Sequence, residues 1–206
     1  MRILIVVFTG FIALSCSNKG GSSSPFNTIE NEALSVSCQE ARYPNYQESP
    51  YVLPYPVGDS YVVNLNHCSI SPHGPGDPDQ FAVDFDMPIG SMVTAARGGR
   101  VVYVEASGQD GNYPNNAVII QAGSTYDIYA HLTFNGALVE IGDSVTVGQE
   151  IGLSGATGAA GYAHLHFVVT QGSWQWPYES VPYNFRNTQE NPHGPEIGEV
   201  YTALPY

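Results

Sequence analysis

Charged side chains are scarce in this 206-residue chain: Asp, Glu, Lys and Arg together make up 12% of it, about half the usual share. Cations are scarcest of all. Six Lys and Arg stand against nineteen Asp and Glu, the formal charge is -13, and the single lysine is Lys19. That balance repels phosphate backbones and leaves no basic stripe, so nucleic acid is excluded as a partner. Helix-favouring sequence is also in short supply. Gly (22), Pro (15) and Tyr (14) make up a quarter of the residues, and no stretch between Pro50 and Gly172 sustains a helical period beyond about two turns. Long apolar runs are missing too, because the N-terminal run over residues 3–14 has twelve residues, too few to cross a bilayer.

What is present is a core's worth of apolar sequence, 43% hydrophobic and 12% aromatic, which fits one folded domain with appendages and excludes disorder. Arg2 followed by the apolar run reads as a secretory signal peptide, residues 1–15. Ala13-Leu14-Ser15-Cys16 resembles a bacterial lipobox, which implies an acylated Cys16, a membrane held through the lipid anchor, and a place in the bacterial cell envelope, periplasmic or on the outer membrane; an ordinary cleavage site with an incidental cysteine is the alternative. Residues 16–49 then read as a lipidated linker and arm, opening with a Gly/Ser-rich tether. In an exported chain Cys38 and Cys68 are expected to form a disulfide, two buried thiols being the alternative.

The prolines of Pro50-Tyr51-Val52-Leu53-Pro54-Tyr55-Pro56 predict an extended segment that covers the start of the domain. Short β-rich runs follow, separated by Gly, Asn and Asp, at 61–65, 81–85, 91–95, 100–105, 117–121, 126–132, 138–140, 144–147 and 165–170. Their spacing predicts an all-β fold, a small antiparallel sheet or open sandwich. Residues 50–172 form the expected domain, and 173–206, with five prolines, an irregular extension.

Strand alternation organises the candidate chemistry. In His164-Leu165-His166-Phe167 the two imidazoles project to one face, about 7 Å apart along the strand, while Leu165 and Phe167 enter the core. The same rule predicts that His131 shares a non-core face with Asp127 and Tyr129, and that Asp84 lies opposite Val83 and Phe85. Any one of these is ordinary for a surface strand. Together, on apolar strands bounded by glycine-rich turns, they point to a zinc site.

Over about Pro50 to Gly172 the sequence resembles the LytM/lysostaphin-type zinc peptidases, family M23. The resemblance runs through Asp84-Phe85-Asp86-Met87-Pro88-Ile89-Gly90, Val93 to Val102, Tyr129-Ala130-His131-Leu132, Val145 to Gly158 and His164-Leu165-His166-Phe167. It implies an antiparallel sheet with a groove, a Zn2+ cofactor, and metalloendopeptidase action on the peptide cross-links of peptidoglycan. Asp84 and His166 would be metal ligands, with His131 and His164 catalytic. One position departs from the pattern: the usual first ligand, a His four residues before the Asp, is Gln80 here, and a neutral amide is a poor zinc ligand. His73 is the expected substitute and His67 a lesser one, while a site completed by Gln80 or water, or left empty, stays open. With it stays the alternative of a catalytically degenerate module that binds cell wall or regulates another hydrolase. A biotinyl- or lipoyl-type carrier is excluded, because no lysine stands in the Val147-Gly148-Gln149-Glu150 turn.

Overall fold

The computed structural model describes Cys38 and residues 41–206. The expected signal peptide, Cys16 and the tether lie outside the described residues. Twelve strands occur among those residues: β1 (Ser60–Leu65), β2 (Val83–Phe85), β3 (Met92–Thr94), β4 (Gly99–Glu105), β5 (Ala117–Ala122), β6 (Thr125–Ala130), β7 (Leu132–Ala137), β8 (Ser144–Val145), β9 (Glu150–Ser154), β10 (Leu165–Gln171), β11 (Glu179–Ser180) and β12 (Val200–Thr202). The fold is all-β, with one 3-10 turn, at Tyr46–Glu48, among the described residues. A nine-stranded sheet runs β12-β1-β2-β10-β6-β5-β4-β8, with β11 added to β10, and β3-β9-β7 forms a second, three-stranded sheet.

The central strands β5, β6 and β10 of the large sheet are largely buried on both faces, which explains why they read as apolar runs more than as clean alternations. One face carries the main core. Val118 and Ile120 of β5, Tyr129 of β6, and Leu165, Phe167 and Val169 of β10 pack there against Val93 of β3 and Ile151 of β9. The Pro-rich segment closes this core as expected, with Leu53 and Tyr55 buried in it, and the Leu53 N–H finds its acceptor in the Asn187 side chain, 2.7 Å away. The opposite face holds a smaller cluster, Ala82, Ala117, Ile119, Ile128, Ala130 and Val168. Small residues at Ala117 and Ala130, which pair across β5 and β6, keep that face low and form the floor of a groove.

Several expectations are corrected. Residues 126–132 form two strands with a break at His131, where φ is +61°, so the alternation does not carry through. Asp127 and Tyr129 therefore point into the interior, both fully buried, while Ile128 and Ala130 face the groove side. Residues 81 and 82 belong to a turn that precedes β2, and 138–140 is not a strand; β7 and β9, unassigned in the sequence, are. The extension beyond residue 172 is largely irregular, yet it is part of the core: β12 pairs with β1, and Tyr183, Phe185 and Tyr201 are buried in the main cluster.

The arm is fastened by the Cys38–Cys68 disulfide, with Cα atoms 5.4 Å apart. Beside it the Tyr43 ring stacks on His67 and its hydroxyl meets His67 Nδ1 at 3.0 Å. His67 is thereby committed to the arm.

Candidate metal and catalytic centre

The site is built where β2, β10 and the end of β6 meet. Asp84 and His166 are register partners across β2 and β10, which puts His166 Nδ1 2.9 Å from Asp84 Oδ1. His73 arrives from the loop between β1 and β2, and its Nε2 lies 3.5 Å from the same carboxylate oxygen. Local hydrogen bonds shape that loop: Cys68 N–H to Gln80 O at 2.6 Å, His73 N–H to Ile70 O at 2.8 Å and Gly74 N–H to Asp77 Oδ2 at 3.2 Å. One potential ligand atom from each of His73, Asp84 and His166 falls within 4.8 Å of the others.

His73 decides whether these residues fit a metal. Its side chain is completely buried and neither ring nitrogen has a hydrogen-bond partner, a costly state for an imidazole unless something else takes a lone pair. A divalent cation between His73, Asp84 and His166 would do so, and two imidazoles with one carboxylate is a donor set zinc favours. Gln80 is turned elsewhere. It precedes β2 and so shares no strand face with Asp84, and its Oε1 accepts from Gly76 N–H at 2.8 Å, closing the loop that presents His73.

His131 and His164 stand on the open side of this cluster, with ring centroids 4.7 Å apart. The left-handed backbone at His131 swings its ring into the site, and Asn115 Oδ1 holds that turn by accepting the His131 N–H at 3.0 Å. His131 Nδ1 is 2.7 Å from Thr157 O, and His164 Nδ1 is 2.9 Å from Tyr162 O. A carbonyl oxygen only accepts, so in both rings Nδ1 carries the proton and Nε2 keeps its lone pair. Burial, then the neighbouring imidazoles, push His131 down to about 3, and burial lowers His164 as well. His166 goes the other way: burial opposes its charge, but Asp79 and Asp84 on either side outweigh burial and raise it.

The site opens into a groove of about 700 Å³, within the range of small-ligand sites. Ile119, Ile128 and Ala130 line its floor, Tyr103 and Trp174 one wall, and Tyr162 the rim beside His164. The structure thus brings together the five residues expected for the metal and catalytic roles, His73, Asp84, His131, His164 and His166. It also adds residues that no spacing announced: Asn115, Thr157 and Tyr162, which act through backbone groups or a loop, and Asp79, hidden in a Pro/Asp turn.

Residues 79–177 match the family model described as Peptidase family M23, and through this region the chain belongs to peptidase family M23. Among similar curated proteins, the chain is 39% identical over 122 residues to the peptidoglycan DD-endopeptidase ShyA of Vibrio cholerae, covering 55% of this chain and 26% of the relative. It is 31% identical over 142 residues to the glycyl-glycine endopeptidase ALE-1 of Staphylococcus capitis, covering 68% and 33%. With an uncharacterized lipoprotein of Escherichia coli, YgeR, it shares 35% identity over 100 residues, covering 48% and 38%. The chain therefore spans from a quarter to two fifths of the length of these relatives.

Proposed function

We propose that this protein is a zinc-dependent endopeptidase that cuts peptide cross-links of bacterial peptidoglycan. The single observation that carries the reading is His73, a wholly buried imidazole with two unpartnered nitrogens, 3.5 Å from Asp84, where the usual first ligand of the family is replaced by Gln80. Similarity to cell-wall endopeptidases supports the substrate class.

His73, Asp84 and His166 would hold the metal. The chemistry zinc would supply there is Lewis-acid polarisation of a carbonyl and acidification of water. The chain's own groups do the rest. His131 and His164 present Nε2 lone pairs fixed by the carbonyls of Thr157 and Tyr162, so either ring accepts a proton from the attacking water and returns it to the leaving amide nitrogen. The groove floor and the Tyr103 and Trp174 wall line up an extended peptide and exclude water from one side of the scissile bond.

The test is metal content and cleavage of cross-linked muropeptides. The unmodified protein is expected to carry one zinc per chain and to release cleaved peptides, and His73→Ala to lose both. Cleavage that survives in His73→Ala or in chelator-treated protein would overturn the proposal. Stoichiometric zinc with no cleavage of any cross-link would transfer the case to the non-catalytic, wall-binding alternative. Envelope anchoring through Cys16 belongs to the same proposal and rests on the sequence, supported by similarity to a lipoprotein. Intact-mass measurement of the exported protein is expected to find acyl chains on Cys16, and an N-terminus elsewhere would remove the anchor.

A further inference from the structure

One carboxylate links the groove wall to the metal-side cluster. Asp79 is 8% exposed and sits in the turn before β2. Its Oδ1 lies 3.4 Å from His166 Nε2 and also accepts the hydroxyl of Tyr178, a residue of the groove lining. The other edge of the His166 ring, Nδ1, faces Asp84 Oδ1 at 2.9 Å, on the side where His73 Nε2 approaches. The two nitrogens of His166 are therefore not equivalent. Neighbouring residues diverge to produce this: Gln80 turns its amide back into the loop, while Asp79 turns inward.

We propose that Asp79 is a positioning residue: it accepts the Nε2–H of His166, so that Nδ1 presents its lone pair to a metal shared with His73 and Asp84, and Tyr178 fixes the Asp79 carboxylate for that task. The proposal rests on the reading of the site as a zinc centre. A neutral imidazole has one N–H, and committing it to a carboxylate at Nε2 fixes the tautomer, orients the ring and makes Nδ1 more basic. Asp79 suits this because its carboxylate is held by Tyr178 and stays aimed at the ring. It also couples the groove to the metal, since Tyr178 belongs to the same wall segment as Trp174, where a substrate side chain would pack.

The experiment measures zinc affinity by competition with a chelator in the full chain, with histidine ring ¹H–¹⁵N spectra of the zinc-loaded protein. Asp79→Ala is expected to weaken zinc binding 10- to 100-fold, with a smaller loss in Asp79→Asn, which keeps an acceptor, and the least in Tyr178→Phe. In the unmodified zinc-loaded protein, His166 is expected to show a proton on Nε2 and a metal-shifted Nδ1. That spectrum needs no variant, so it decides the matter even if a substitution impairs folding. Unchanged affinity in Asp79→Ala, or a proton-free Nε2 in the zinc-loaded protein, would overturn the assignment while leaving the zinc site intact. An unmodified protein that binds no zinc would instead remove the reading on which the assignment rests.

Discussion

The two halves of the site handle the same side chain in opposite ways. His131 and His164 are each tied at Nδ1 to a backbone carbonyl, a neutral acceptor that fixes the tautomer and leaves burial free to disfavour the charged ring. His166 lies between the carboxylates of Asp79 and Asp84, which favour the imidazolium and, in the proposed zinc centre, would leave Nδ1 to the metal. His73 is different from both, because neither of its nitrogens is partnered. An imidazole's neighbours thus set apart the two rings proposed to transfer protons from the two proposed to hold the metal, although all four are histidines within one small volume.

That contrast is breakable by substitution. The largest expected effect is on turnover: His131→Ala and His164→Ala should each lower kcat about 10²- to 10⁴-fold, the usual share of a positioned acid or base, while bound zinc stays at one per chain by metal analysis. Loss of zinc in either variant would merge the two halves into one ligand set. An intermediate effect, on stability alone, is expected from replacing both Cys38 and Cys68 with Ser. The bridge closes a loop of 30 residues, for which chain entropy suggests about 3 to 4 kcal/mol. Because the arm packs on His67 and not on the metal-side residues, thermal unfolding should shift downward with zinc content unchanged. The smallest effect is predicted for Gln80→Ala, which removes an acceptor from one exposed loop amide and should leave both zinc content and kcat within about twofold of the parent, given that surface changes usually stay within about 0.5 kcal/mol. A large loss of zinc there would return Gln80 to the ligand set in place of His73.

How much of this was legible in the sequence varies by element. Leu165 and Phe167 turn inward and His166 toward Asp84 as alternation requires, because β10 is regular and central. Alternation failed at His131, where it predicted a shared face with Asp127 and Tyr129. Those two residues are interior: Asp127 pairs with Arg97 at 2.8 Å, and the Tyr129 hydroxyl accepts the Ala96 N–H at 2.7 Å. A single left-handed residue reset the period, and a histidine announces no such turn as a glycine would.

The sequence by itself determined the all-β class and the family, and it nominated five candidate site residues that the fold brings together, because strand patterning and side-chain type are local properties that survive without coordinates. It also nominated His73 on chemical grounds, as an imidazole standing near a position where an amide had replaced one. Only the tertiary structure decided where the loop from Asn66 to Ala82 would point, which orphaned His73 beside Asp84, turned Gln80 away and placed Asp79 behind His166. Those outcomes depend on contacts between residues as distant as Asp79 and Tyr178, and on pairing between β2 and β10. Packing across such separations selects one arrangement from many that local sequence leaves equally open.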